Sequence, residues 1–432
     1  MSRKKVIILS AIALALIGCS LFYFIGRSRP ASKGANNSNH VYEKSSLEDK
    51  ATAMGEGDSS KAVSQKENGD DSKAVSQKEK ELKSWTSNVV GDNVIDIITG
   101  KDYVLYYTFD KITLLNKSDG AEKWTLPVKW NGEAALRMGA VHGKTLDVYD
   151  GVVYYSNKDK VVGVDLNTGK EVWSYKDPYS FEFMGIKVSS GILYASSSDS
   201  NLYAINIKEG KSLWKYNMES PSTDFIDVQD NLVYCCSYKK IDAIYSASGR
   251  CKWSMRKSDD IVNSMITVTS LISDKDRIYI SYTDYMKMTS ILKVYDKKDG
   301  KEIFTFKDLG MVSNLIISED KVLFANVTYE KNINNPAIEF SVYDKTHYNK
   351  LYAIKSNNEY GGFSIAGDVI YVTCKGGIKL LDISNGKEKS MFKLDIDSGL
   401  SPIVDKDSIT LLGIKQKKES SEGFNYYIYH LE

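Results

Sequence analysis

The sequence predicts an all-β fold: an eight-bladed β-propeller closed by an N-terminal strand, preceded by one transmembrane helix and a disordered tether. Three observations carry the prediction: a repeated unit, an aromatic marker at a fixed place in it, and two chain ends that complement each other. Residues 151–175 read GVVYYSNKDKVVGVDLNTGKEVWSY, and the pattern returns at 191–216 and 231–255. An earlier copy spans 102–126, and degraded copies follow at 277–306, 321–354 and 368–392. Repetition of this kind decides architecture before local propensity does.

Within each unit, apolar and polar residues alternate over short runs bounded by turn signals, the pattern of half-buried antiparallel strands. The last turn is regular: Asn167-Thr168-Gly169, Lys208-Glu209-Gly210, Ala247-Ser248-Gly249, Lys298-Asp299-Gly300, Ser384-Asn385-Gly386 and Ser118-Asp119-Gly120. Glycine supplies the positive φ of a tight reversal. A fourth strand follows, marked by Trp85, Trp124, Trp173, Trp214, Trp253, Phe304, Tyr352 and Ser390. One marker per blade, spaced roughly 40 to 50 residues apart after the first, gives about eight blades. Ser390 is the weakest marker. The chain ends in NYYIYHLE, a third strand with no fourth behind it, while residues 82–87, LKSWTS, match a fourth strand with nothing before it. Joining the two closes the ring and removes a free sheet edge.

The repeat resembles the pyrroloquinoline-quinone-like (PQQ-like) propeller family on Asp165, Thr168-Gly169 and Trp173, complete in this unit and partial over nearly everything from residue 82 to the end. That family contains quinoprotein dehydrogenases and also cofactor-free scaffolds, such as the propeller subunit of the outer-membrane β-barrel assembly machinery. The resemblance implies the fold and an extracytoplasmic propeller, and leaves the function open.

With 57 Lys plus Arg against 56 Asp plus Glu, the chain has no electrostatic footprint for nucleic acid. Its 29 tyrosines suit strands whose rings pack between blades. Three parts follow: 1–27, a short basic end and membrane anchor; 28–81, a tether; 82–432, the propeller, expected to be monomeric. Arg3, Lys4 and Lys5 precede an uncharged apolar run over 6–26, about long enough to span a bilayer. A lipoprotein reading competes through Leu16-Ile17-Gly18-Cys19, with Cys19 lipidated, but the apolar run continues past Cys19 where a polar tether would begin. The tether is Ser-, Lys- and Glu-rich and repeats itself, DSSKAVSQKENG at 58–69 and DDSKAVSQKEKE at 70–81. Such composition does not fold alone, and about 50 residues of it would reach on the order of 40 Å.

No catalytic constellation is legible. His40, His142, His347 and His430 show no zinc spacing, and neither a phosphate loop nor a nucleophile elbow is present. PQQ-dependent alcohol dehydrogenases carry an adjacent-Cys disulfide over the cofactor. Here Cys235 and Cys236 fall within a predicted strand where neighbours point to opposite faces, so buried free thiols are expected there and at Cys374. Cys251 lies too far across the sheet to pair with them.

Because the chain reverses at each hairpin, loops joining second to third strands share one face with the blade-to-blade connections. The glycine turns occupy the other. The long excursions, 283–289, 330–336, 416–423, 129–144, 177–185 and 257–265, all belong to the first face, where repeat proteins commonly carry recognition. Trp130, Tyr179, Phe181, Tyr285 and Met286 are its candidate partner-binding residues, with Phe183 and Met288 beside them. The expected function is a membrane-anchored, non-catalytic binding or assembly scaffold for a protein partner in the bacterial cell envelope. The alternatives are a dehydrogenase binding PQQ and Ca²⁺ at the ring centre, whose acidic base and metal ligands find no place in the sequence, and a sensor for an envelope polymer or small ligand.

Overall fold

The computed structural model describes residues 84–89, 94–108, 110–128, 145–178, 182–220, 222–262, 266–328, 337–357, 360–416 and 424–432. The anchor, the tether and Cys19 lie outside them. The described residues form eight antiparallel blades in which strands follow chain order outward from the ring centre. Blades 1 to 4 run Asp96–Thr99 to Glu122–Pro127, Leu146–Tyr149 to Glu171–Lys176, Phe183–Ser189 to Lys211–Asn217, and Ser222–Gln229 to Cys251–Arg256. Blades 5 to 7 run Ile266–Ser273 to Glu302–Leu309, Met311–Ile317 to Lys350–Asn357, and Tyr360–Ala366 to Glu388–Lys393. Blade 8 has a first strand broken into Ser398–Gly399 and Ile403–Val404, then Ile409–Gln416, Phe424–Leu431 and, from the other end of the chain, Ser84–Val89.

Ser84 pairs with Leu431 and Val89 with Tyr426, so ring closure by the N-terminal strand is as the sequence predicts. This strand runs from the glycine-turn face to the insertion-bearing face. All eight markers sit in fourth strands. The expected half-buried alternation is seen in fourth strands such as Glu171–Lys176, which alternates between exposed and partly covered residues, whereas Val152–Asn157 and Lys160–Asp165 are buried at four consecutive positions. Blades stack face to face, so inner strands bury both faces and read as nearly continuous apolar runs. The core is accordingly a ring of separate apolar clusters, such as Leu105, Leu114, Val153 and Val162 between blades 1 and 2.

The marker residues explain how neighbouring blades lock. The Trp124 ring of blade 1 lies against the turn glycine of blade 2, where a methyl group on Gly169 would stand 2.8 Å from it, and its indole N–H donates to the Leu166 carbonyl at 2.9 Å. Trp85 does the same to Gly120 and Lys117, Trp214 to Gly249 and Ser246, Trp253 to Gly300 and Lys297, and Tyr352 to Gly386 and Ile383. Gly169 has φ 67, so the position excludes a side chain both by backbone conformation and by the ring above it. The turn itself is capped by Asp165, which accepts from the N–H groups of Asn167 and Thr168 and from the Thr168 hydroxyl. Those donors hold the Asp165 carboxyl below the usual carboxylate range.

Three blade junctions add a lysine just after the capping position. Lys117, Lys297 and Lys345 pair with Asp405, Asp230 and Asp274 of the preceding blade. Burial works to raise the Asp274 carboxyl, and Lys345 with the backbone donors of Asp276 and Arg277 outweighs it, leaving a net lowering. On the ring-centre side, Asp147 and Asp227 accept from the backbone N–H of Val188 and Ser273 in the next blade, at 2.9 and 2.8 Å.

Two outcomes are expected. Trp124→Ala should destabilise by about 3 kcal/mol, and Gly169→Ala by more than the roughly 1–2 kcal/mol of a positive-φ residue. In the Trp124→Ala background the Gly169→Ala cost should fall back to that range, a coupling that denaturant unfolding of all four proteins measures. A chain beginning at residue 91, lacking Ser84–Val89, should lose cooperativity and melt well below one beginning at residue 82; equal melting curves would contradict ring closure as a stabilising element.

Candidate functional site

Local side-chain chemistry shapes the insertion-bearing face of blades 3 to 5. In blade 5 the hairpin between Arg277–Asp284 and Thr289–Asp296 is turned by Asp284, which accepts from the N–H groups of Met286 and Lys287 at 3.0 and 3.1 Å and pairs with the Lys287 ammonium at 3.0 Å. Burial works against it, but these donors outweigh that and hold the Asp284 carboxyl below its ordinary value. Met288 adopts φ 54, and Met286 is left at the tip with 77% of its surface exposed. Tyr285 turns the other way. It is half-buried, its hydroxyl is buried, and burial raises its pKa.

In blade 4 the tight hairpin Ser237-Tyr238-Lys239-Lys240 presents Tyr238, 53% exposed. Ser237 Oγ accepts from the Lys240 N–H at 3.3 Å, and Lys239 N–H donates to Ser220 Oγ of the preceding connection at 3.2 Å. Beneath it, the buried Lys240 ammonium meets Glu219 at 3.2 Å, Tyr216 hydroxyl at 3.3 Å and the fully buried Asp242 at 3.5 Å. Burial raises the Asp242 carboxyl, against the lowering effects of Ser254, Lys240 and Tyr216. The connection to blade 5 is pinned by Lys257 Nζ donating to the Ser237 carbonyl at 2.6 Å and by buried Ile261 of the short helix α1, Asp259–Val262.

Among the residues expected on this face, Tyr285 and Met286 share one hairpin. Trp130, Tyr179 and Phe181 lie outside the described residues. Phe183 is corrected: the first strand of blade 3 begins at this residue, and its ring is buried against Tyr203 and Tyr175. The excursions are shorter than expected because strands continue into them, to Asp284 and from Thr289 in blade 5. Tyr238 was missed because length was the criterion and its hairpin is short; an aromatic where blade 2 has Lys158-Asp159 and blade 3 has Asp199-Ser200 was the available signal.

Among the described residues, no group of three His, Cys, Asp or Glu side chains is placed to hold a metal. Cys235 and Cys236 are buried and not joined in a disulfide, Cys235 in the cluster against blade 3 and Cys236 in the one against blade 5, as strand alternation requires. Burial pushes the Cys236 thiol up to about 12. Cys374 is likewise buried and outside any disulfide, whereas Cys251 is exposed.

The family model described as outer membrane protein assembly factor BamB matches residues 74–305 and, in a second alignment, 161–391. BamB of Yersinia pestis is 23% identical over 258 residues, 56% of this chain and 61% of that protein, so the match spans less than two thirds of the relative. Among solved structures, BamB from Moraxella catarrhalis aligns with a TM-score of 0.53 at 13% identity, covering 80% of this chain and 96% of that one. Quinohemoprotein alcohol dehydrogenase from Comamonas testosteroni aligns with a TM-score of 0.59 at 12% identity, covering 80% and 76%. Both structural likenesses concern the fold.

The Asp242 carboxyl gives a pH signature. Its pKa is raised in the folded state, so the fold favours the protonated form; this group's contribution to stability is greatest below the unfolded value near 3.9 and is lost as pH rises through the folded value. Asp242→Asn should therefore gain stability relative to the parent as pH goes from about 4 to 7. Thermal melts of the two proteins across that range check this, and a parallel pair of curves would contradict it.

Proposed function

Because the chain belongs to the family of outer membrane protein assembly factor BamB, we propose that it is a non-catalytic scaffold of the bacterial cell envelope, tethered to the membrane by its N-terminal segment and binding a protein partner. The observation that carries this reading is the presentation of Met286 and Tyr238 on adjacent blades of one face, each held out by a side-chain-capped hairpin. Large side chains of this type supply desolvated contact when a partner covers them. Trp130, Tyr179 and Phe181, which lie outside the described residues, are further proposed contacts, and Tyr285, its hydroxyl buried, shares the Met286 hairpin. A lipid on Cys19 is the alternative attachment.

The dehydrogenase reading is weaker on the same geometry. Its chemistry needs oxygen ligands for the metal and an acidic base beside the quinone, and the Cys235–Cys236 pair is divided between two blade interfaces.

Photo-crosslinkers at Tyr238 and Met286 in intact cells should capture an envelope protein that crosslinkers at Thr168 and Lys298, on the opposite face, do not. The double change Tyr238→Ala with Met286→Ala should weaken capture by about 2 kcal/mol or more; adducts confined to the glycine-turn face would overturn the assignment. Equilibrium dialysis with PQQ and Ca²⁺ should give no stoichiometric uptake, and stoichiometric uptake with dye reduction by an alcohol would restore the enzyme reading.

A further inference from the structure

Every fourth strand of a propeller exposes an outer edge of unpaired backbone groups, and proteins commonly blunt such edges with charges or bulges. Here seven of the eight edges carry both devices. The fourth strands of blades 1 to 7 each contain at least two charged residues, from Glu122 and Lys123 in blade 1 to Glu388, Lys389 and Lys393 in blade 7. Each is also bulged against its third strand, as at Gly163/Val164 and Leu380/Leu381.

The closing strand of blade 8 has no bulge and no charge within Ser84–Val89, the nearest being Lys83 just before it in the sequence. It reads SWTSNV and pairs residue for residue with Tyr426–Leu431 without a register shift. The difference has a physical cause. In the other blades the bulge adjoins the tight turn that links third to fourth strand, and this strand arrives from elsewhere in the chain with no such turn. Among the described residues, nothing pairs with its outer edge.

We propose that this edge is a strand-addition site, which takes an extended, uncharged, proline-free segment of a partner protein as a fifth strand of blade 8. Backbone hydrogen bonds would supply the affinity, and Ser84, Thr86 and Asn88, whose side chains are exposed, offer an outer edge without opposing charge. A segment added here emerges beside Val89 on the insertion-bearing face, so one partner can engage the edge and that face together. This favours a partner strand over a second copy, whose twofold pairing is confined to the six-residue edge. The proposal is independent of Met286 and Tyr238.

The test uses the full chain and a fluorescein-labelled probe of alternating threonine and valine flanked by lysines. Saturable binding is expected by anisotropy, lowered by about tenfold or more when Thr86→Lys and Asn88→Lys supply the missing guard charges. Thr125→Lys on the blade 1 edge and Met286→Ala should leave it unchanged. A photo-reactive valine in the probe should crosslink within Ser84–Val89 of the unsubstituted chain, a readout that does not depend on how the variants fold. Absence of binding, equal loss with Thr125→Lys, or crosslinks elsewhere would overturn the proposal. Sedimentation showing a dimer of the chain that dissolves in the Thr86→Lys, Asn88→Lys protein would replace the partner strand with a second copy.

Discussion

The ring depends on one contact, an aromatic ring of one blade laid over the bare backbone of the next blade's turn. It joins the outermost strand of a sheet to the neighbouring sheet at the outer rim of the apolar clusters, against which Trp124, Trp214 and Trp253 pack. Its two sides vary together within the chain. Where blade 6 has Tyr348 in place of the turn glycine, with φ 59, blade 5 offers the smaller ring of Phe304, and the two stack at 4.7 Å. Arg277 and Asp274 gather around this exception, Arg277 donating to the Tyr348 hydroxyl at 2.7 Å and Asp274 pairing with Lys345. Where blade 8 has no third-to-fourth-strand turn at all, blade 7 has Ser390. The weakest marker in the sequence is weak because there is nothing for an aromatic to cover.

The same constraint divides the two faces. On the glycine-turn face, capping carboxylates, bare glycines and inter-blade lysine pairs are all used in holding blades together. On the opposite face the chain places Met286 and Tyr238 outward, on hairpins whose own hydrogen bonds fix them. The buried Lys240, Glu219 and Asp242 group under Tyr238 gives that hairpin a firm seat at the junction of blades 3 and 4.

Most of the architecture was legible because the aromatic and glycine positions are chemically irreplaceable and so survive in degraded repeats. Trp85 announced the closing strand, and Cys235–Cys236 could be assigned to opposite faces from strand alternation alone. What escaped the sequence was burial at loop boundaries. Phe183 looked like a contact residue, yet a strand that begins at that residue folds it into the core. Tyr238 looked like ordinary strand sequence, because a tight hairpin leaves no length signal. The absence of guard charges in SWTSNV was visible, whereas its regular pairing, which gives that absence its meaning, required the register.

The direction of the closing strand gives the molecule an orientation. Ser84 and Leu431 are paired neighbours at the end of blade 8 that belongs to the glycine-turn face. Whatever precedes residue 84 leaves the ring there, beside Glu432. Any hold on the N-terminal segment would therefore act on the propeller off-centre, at its rim. A pull along the N-terminal segment acts on Ser84 first, in line with the strand, so it loads all the hydrogen bonds to Phe424–Leu431 in shear. The element that closes the ring is thus also the one through which force on the chain would enter it.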